Sequence, residues 1–290
     1  MSSFKVTLLG TGSPEPLRDR LGPSILVESG ETKLLFDCGR GTMQRIYQRE
    51  PDASTYDKLF LTHLHSDHIS GIPDLWITGH LLQRNTPLKI WGPKGTKEMT
   101  NHLRETYQAD LRMRKEAKRY FNNSSPDEGF LFQVEEIDEG FVYEENGVRV
   151  TPFRVNHLSM YSDEPCLGYR VEYQGRSLVV SGDTCYCENL IEYSRGVDLL
   201  IHEVAAVPVG AEIPEYLRNG VGIHATPEDC GKVFNVVQPK LAVFYHVLNF
   251  LGTTYDDILR RTRDVYDGYV ILGEDMMEIE VDEQVKILNQ

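Results

Sequence analysis

Short apolar stretches recur along the chain, and glycine, proline or polar residues end each one. "FKVTLLGTG" alternates and then runs apolar into a glycine turn, which predicts a strand. "SILVES" and "TKLLFDCG" read as a hairpin around Ser29-Gly30, and "KLFLT" reads as a buried strand. "TMQRIYQRE" and "HISGIPDLWITGHLLQR" carry helical spacing, and "LKIWGP" is a strand with a Gly-Pro stop. In the second half "FLFQVEEI", "VRVTPFRV", "LGYRVEY", "RSLVVSGD", "VDLLIHEV" and "KLAVFYHV" are predicted strands. "CENLIEYSRG", "TPEDCGKVFNVVQ" and "TYDDILRRTRDVY" are predicted helices, the second opened by a Thr cap with proline in its first turn. The order of strands and helices in the first half is repeated in the second. Two sheets face to face with helices outside satisfy that pattern.

No repeat, low-complexity tract or Gly/Ser linker divides the 290 residues, so one domain over 1–290 is the economical reading. A helical insert near 97–128 interrupts it. No run of eighteen apolar residues is present, and the N-terminus lacks a signal-peptide pattern, so a cytoplasmic setting is expected. Five scattered cysteines, an odd number, do not suggest a disulfide framework. Cys185 and Cys187, one residue apart, read as two small half-buried side chains. The formal charge of −14 disfavours a generic nucleic-acid binder. Residues 102–121 are the local exception, six Arg or Lys against three acids, and their spacing fits a solvated helix.

One stretch changes the picture. "LFLTHLHSDHISGI" places His63, His65, Asp67 and His68 directly behind an apolar strand, in a chain with only nine histidines. His63 and His65 are two apart, so an extended segment points both the same way. Asp67 and His68 follow where the chain turns into a helix and reach the same hollow from the other side. Imidazole and carboxylate suit zinc, and four ligands from one loop leave two ions unsaturated. Further ligands are therefore expected at distant strand ends: His157 in "FRVNHLS", Asp183 in "LVVSGDT" and His246 in "LAVFYHV". Each of the three read alone would be an ordinary core or loop residue.

These residues carry a resemblance. "LLGTGSP", "FDCGRGT", "THLHSDHISGI", "HLS…LGYR", "SGDT", "LLIHEV", "HATPED" and "YH", in that order across nearly the whole chain, resemble the metallo-β-lactamase superfamily, in its ribonuclease Z and arylsulfatase-like branch. The resemblance implies a four-layered αββα sandwich (α/β class) with metals at one edge between the sheets. It implies that His63, His65 and His157 hold one zinc, that Asp67, His68 and His246 hold a second, and that Asp183 bridges. Manganese or iron would fit the same donors. It further implies that Glu203 orients His224, which protonates the leaving group. Two adjacent cations activate a bridging hydroxide, which Asp67 can orient.

After the last ligand, ribonuclease Z enzymes carry a Ser- and Arg-containing stretch, where this chain reads "YHVLNFLG". Their tRNA-gripping arm is Gly/Pro-rich and basic, whereas the insert here is helix-like. With the acidic surface, these departures point to a small ester-type substrate: an aryl sulfate, a phosphodiester or a lactone. A tRNA 3′-processing endonuclease is the alternative, with tRNA as a disfavoured partner. A non-catalytic, metal-stabilised interaction protein is a further alternative. A homodimer stays open. Trp76, Tyr161, Phe250 and Tyr255 lie near the motifs, and core packing is the expectation for each singly. The "GTGSP" turn lacks phosphate-loop spacing and reads as structural.

Overall fold

The apolar runs become strands whose two faces serve two different cores. The computed structural model describes residues 3–159 and 162–289. Strands β1 (Phe4–Gly10), β2 (Ser24–Ser29), β3 (Thr32–Phe36), β4 (Lys58–Phe60), β5 (Leu88–Gly92) and β6 (Phe132–Glu136) lie side by side in one sheet. The second sheet comprises β7 (Tyr143–Glu145), β8 (Val148–Arg154), β9 (Leu167–Tyr173), β10 (Arg176–Val180), β11 (Leu199–Ala206), β12 (Leu241–Asn249) and β13 (Val270–Leu272). A final hairpin, β14 (Glu278–Val281) and β15 (Val285–Asn289), returns to the first sheet beyond β1. The sequence reading did not anticipate that hairpin, because its alternation is short and charged.

Within each run the side chains alternate sides. Ile25 and Val27 of β2, Leu34 and Phe36 of β3, Leu178 and Val180 of β10, and Leu241 and Val243 of β12 fill the core between the sheets. Their neighbours Leu26 and Leu35 face one helical layer, and Val179 and Ala242 face the other. Continuous apolar runs are what strands covered on both faces require. The helices are α1 (Thr42–Arg49), α2 (Ser66–Ile69), α3 (Ile72–Leu81), α4 (Thr96–Thr106), α5 (Gln108–Tyr120), α6 (Glu188–Tyr193), α7 (Glu215–Gly222), α8 (Pro227–Val237) and α9 (Tyr255–Arg263). Residues of α1 and α3 cover the first sheet, and those of α6, α8 and α9 cover the second. This is the mixed α/β sandwich expected. Among the described residues no helix is long and apolar enough to cross a membrane.

Two predicted helices are broken. The one starting at His68 splits into α2 and α3 at Ser70-Gly71, since Pro73 has no N–H to continue a helix but suits the first turn of a new one. The basic helix splits at Tyr107, whose ring meets Trp76 edge-on, into α4 and α5. Trp76 packs in the core as expected, and Tyr255 packs partly so. Tyr161 lies outside the described residues. Cys185 is half-buried and Cys187 buried, and all five cysteines are free.

The topology puts chemistry at one end. β3, β4, β5 and β6 run parallel to one another, as do β10, β11, β12 and β13. Parallel strands bring several chain exits to one edge. Asp37 and His63 follow β3 and β4, and Asp183 follows β10. At that edge Gly182 has φ +62°, and a Cβ there would stand 2.5 Å from the Leu167 carbonyl oxygen, so only glycine delivers Asp183.

Candidate metal centre

His63, His65, His157 and Asp183 each offer a donor atom within 4.8 Å of the others. Asp67, His68 and His246 form a second such group, and Asp183 belongs also to a third with His224 and His246. All seven expected donors thus meet at one edge. Asp183 Oδ2 stands between the groups, 3.8 Å from His63 Nε2, 3.9 Å from His157 Nε2, 3.3 Å from His68 Nε2 and 3.4 Å from His246 Nε2.

A local irregularity aims His246. Strict alternation along β12 would send it outward with Phe244. Between the pairs His202↔Phe244 and Val204↔Val247, β11 spends one residue where β12 spends two. This is a β-bulge, and within it His246 takes φ +45°. Such backbone persists only where its surroundings enforce it, and it collects at functional sites.

The hydrogen bonds behind the rings choose their tautomers. His157 Nδ1 donates to the Ile223 carbonyl at 2.9 Å, so its Nε2 presents a lone pair. His63 Nδ1 lies 2.9 Å from Thr62 Oγ1, which itself donates to Asp37 Oδ2 at 2.9 Å, so His63 Nε2 is also bare. Both face His65 Nδ1, at 2.9 Å and 3.2 Å. One ring nitrogen cannot donate to two lone pairs at once, and a cation among the three resolves the contact. His68 Nδ1 donates to Asp37 Oδ2 at 2.8 Å, and its Nε2, like Asp183 Oδ1, is buried without a hydrogen-bond partner. Orphaned buried polar atoms each cost about 1–3 kcal/mol. The donor set therefore fits divalent cations.

Asp37 is the residue the sequence reading left without a role. It is buried with φ +59°, accepts from Thr62 N at 2.8 Å, and holds His63 (through Thr62) and His68 in place. The signal was "FDCG" at the end of a predicted strand, well before the metal-type motif, and only the fold brings it under His68.

Burial keeps His63, His65 and His157 below the ordinary histidine range, hence neutral and ready to ligate. Burial would likewise lower His68, but Asp183 and Asp37 outweigh it and push it well above that range. For Asp67 and Asp183 burial acts upward, yet the imidazoles around them, His246 and His68 foremost, hold both carboxylates down and ionised. Glu203 is fully buried on β11, and its Oε1 accepts from Thr184 N, Ala225 N and His224 Nδ1, each at 3.1 Å. Burial opposes a charged His224, but Glu203 outweighs it and raises the ring to about 9. With Nδ1 engaged, His224 turns Nε2 toward the cluster.

A hollow of about 300 Å³ opens over His65, Asp67, Asp183, His224 and His246. Ser13, Pro14, Glu15, Ile223, Leu248, Asn249 and Phe250 line its mouth, with no Lys or Arg among the lining residues. The "GTGSP" turn, expected to be structural only, supplies part of that wall. Phe250, expected in the core, is instead at the mouth.

Comparison with known proteins agrees with this geometry. Residues 32–247 match the family described as the beta-lactamase superfamily domain. Ribonuclease Z of Mycolicibacterium paratuberculosis is 34% identical over 284 residues, covering 96% of this chain and 99% of that protein. Ribonuclease Z of Mycobacterium bovis is 30% identical over 283 residues, covering 96% and 98%. Among solved structures, the metallo-beta-lactamase fold protein YhfI from Bacillus subtilis superposes with TM-score 0.74 at 18% identity, covering 97% of this chain and all of that one. The short form of human tRNase Z gives 0.68 at 22% identity, covering 96% and 99%. The chain belongs to the metallo-β-lactamase superfamily, in its ribonuclease Z branch. It is a metal-dependent hydrolase acting on ester bonds.

Proposed function

We propose that the protein is a dinuclear zinc phosphodiesterase of the ribonuclease Z kind, cleaving RNA near a 3′ end. The observation that carries this reading is the end-to-end match to ribonuclease Z relatives at 30–34% identity, in a chain whose seven His and Asp donors gather at one sheet edge. It reverses the preference reached from sequence, where a small ester-type substrate (an aryl sulfate, a phosphodiester or a lactone) stood first and tRNA processing second. The chain forms one domain, and α4 and α5 make up most of the helical insert expected near 97–128.

In this assignment His63, His65 and His157 would hold one ion and Asp67, His68 and His246 the other, with Asp183 placed to serve both. When bound, such a pair supplies Lewis acidity toward a phosphoryl oxygen and water of lowered pKa. The chain's own residues do the rest. Asp67, ionised and 3.2 Å from His246 Nε2, orients the attacking water and can accept its proton. His224, held protonated by Glu203, donates from Nε2 to the departing oxygen. Thr184 N and Ala225 N hold the Glu203 carboxylate so that the ring cannot swing away. Asp37 keeps the His63 and His68 rings turned inward.

The mouth without a cation favours a second reading, a small ester or diester substrate. Incubating zinc- or manganese-loaded protein with a 3′-extended precursor tRNA, beside bis(p-nitrophenyl) phosphate and p-nitrophenyl sulfate, separates them. Discrete 3′-end cleavage of the RNA is expected. Turnover of the small substrates with intact RNA would put the second reading in its place.

A further inference from the structure

Packing does not account for Phe250. It belongs to none of the three apolar cores, and among the described residues it stacks on no other aromatic ring. It sits half-buried at the mouth of the hollow, four residues past His246. A tight turn presents it: its carbonyl accepts from Thr253 N at 3.0 Å and Thr253 Oγ1 at 2.8 Å, and Leu251 takes φ 53°, ψ 32°. A left-handed leucine is backbone strain kept where a side chain must be placed. Gly220 lies alongside, where an added methyl would stand 3.7 Å from Phe250 Cζ.

The other wall is equally fixed. Asp275 accepts from Thr11 N, Thr11 Oγ1 and Leu21 N at 2.9, 2.8 and 2.8 Å, clamping both ends of the loop that carries Pro14 and Glu15. The mouth is therefore a preformed slot with one unpartnered ring, apolar walls and a carboxylate at its rim. No lysine or arginine lines it to receive a second phosphate beyond the reach of His224. Glu15 accepts hydrogen bonds and donates none when ionised.

We infer that Phe250 is a specificity-determining platform on which a nucleobase flanking the scissile phosphate stacks, with Glu15 accepting from a ribose hydroxyl or base amino group. This rests on the phosphodiesterase reading and names what the site reads beside the phosphate. Planar, uncharged and donor-bearing is what the slot's size and lining accept. Stacking of a base on an aromatic side chain tolerates sequence and is worth roughly 5- to 150-fold in affinity.

The test measures binding of adenosine 5′-monophosphate and of ribose 5-phosphate to the metal-loaded protein by titration calorimetry. The base-bearing ligand is expected to bind at least about 5-fold tighter. In Phe250→Leu, which keeps apolar bulk without a π face, that ratio should fall toward one, and in Phe250→Tyr it should persist. Equal binding by the unaltered protein, no binding of the base-bearing ligand, or a ratio unchanged in Phe250→Leu overturns the inference. Diester turnover, assayed on the same preparation, reports separately on the phosphodiesterase reading. Turnover with a ratio of one means the platform is wrong, and no turnover of any diester means that reading is wrong.

Discussion

The strand-end edge and the α4–α5 pair both concentrate ionisable side chains, and they use them in opposite ways. At the edge, His63, His157, Asp183 and His246 are all 2% exposed or less, and polar atoms lack partners. On α5 no residue is buried, and its pairs, such as Arg114 with Asp110 at 2.7 Å, stand partly in water. Burial in a low dielectric makes unmatched donors costly, and it makes a cation the means of matching them. Solvated pairs on a helix face contribute about 0–1 kcal/mol each. Residue type marks the two regions in the sequence, and exposure decides what their charges do.

The largest effect should come from the buried region. His65→Ala removes the nitrogen that faces both His63 and His157, so metal content should drop and turnover should fall by at least about 10³-fold. Elemental analysis with steady-state kinetics checks this, and a fully active variant would break the contrast at its root.

His224→Ala should lose about 10²–10⁴-fold on substrates with poor leaving groups and much less on nitrophenyl esters, with near-normal metal content. His224 also lies within reach of Asp183 and His246 as a third donor group, so metal loss in this variant would make it a ligand and not an acid. The ring acts while protonated. Because Glu203 raises it to about 9 against burial, the rate should fall as pH rises through that region or below it, since bound cations lower the value. His224→Ala should lose that basic limb.

Asp37→Asn keeps the size but weakens acceptance from Thr62 and His68. A 10- to 100-fold loss of metal affinity is expected by chelator competition. An unchanged affinity would show that the buried carboxylate is packing only.

Metal affinity should also rise with pH. His63, His65 and His157 are held neutral, and Asp67 and Asp183 are held ionised, so they release no proton on binding. His68 is raised and does release one, so the dissociation constant should fall up to about tenfold per pH unit below its pKa. A flat profile between pH 6 and 8 would mean that His68 is already unprotonated.

The smallest effect belongs to the exposed region. Replacing Arg112 and Arg119 by Ala should change stability by less than about 0.5 kcal/mol each and leave metal content alone. Denaturant melts with elemental analysis check it. A lost metal would show that α5 supports the cluster, and would erase the distinction between the two regions.

What could be read without the fold was whatever is local. Alternating and continuous apolar runs specify strands because side-chain direction repeats every two residues, and every predicted strand is present. His63, His65, Asp67 and His68 were legible because six residues of backbone hold them together. His157, Asp183 and His246 were legible only as a demand for more ligands at strand ends, met by family resemblance. Tertiary structure alone decided the rest, because it depends on contacts between segments far apart in the chain. The bulge that turns His246 inward arises from the pairing of β11 with β12. Asp37 acquires its role because β3 lies beside β4, which brings His68 within 2.8 Å of its carboxylate. Phe250 reads as one more apolar residue until the slot is assembled from three separate loops and no core claims it. Periodicity along a chain determines which face a residue joins, and only long-range packing determines what stands opposite it.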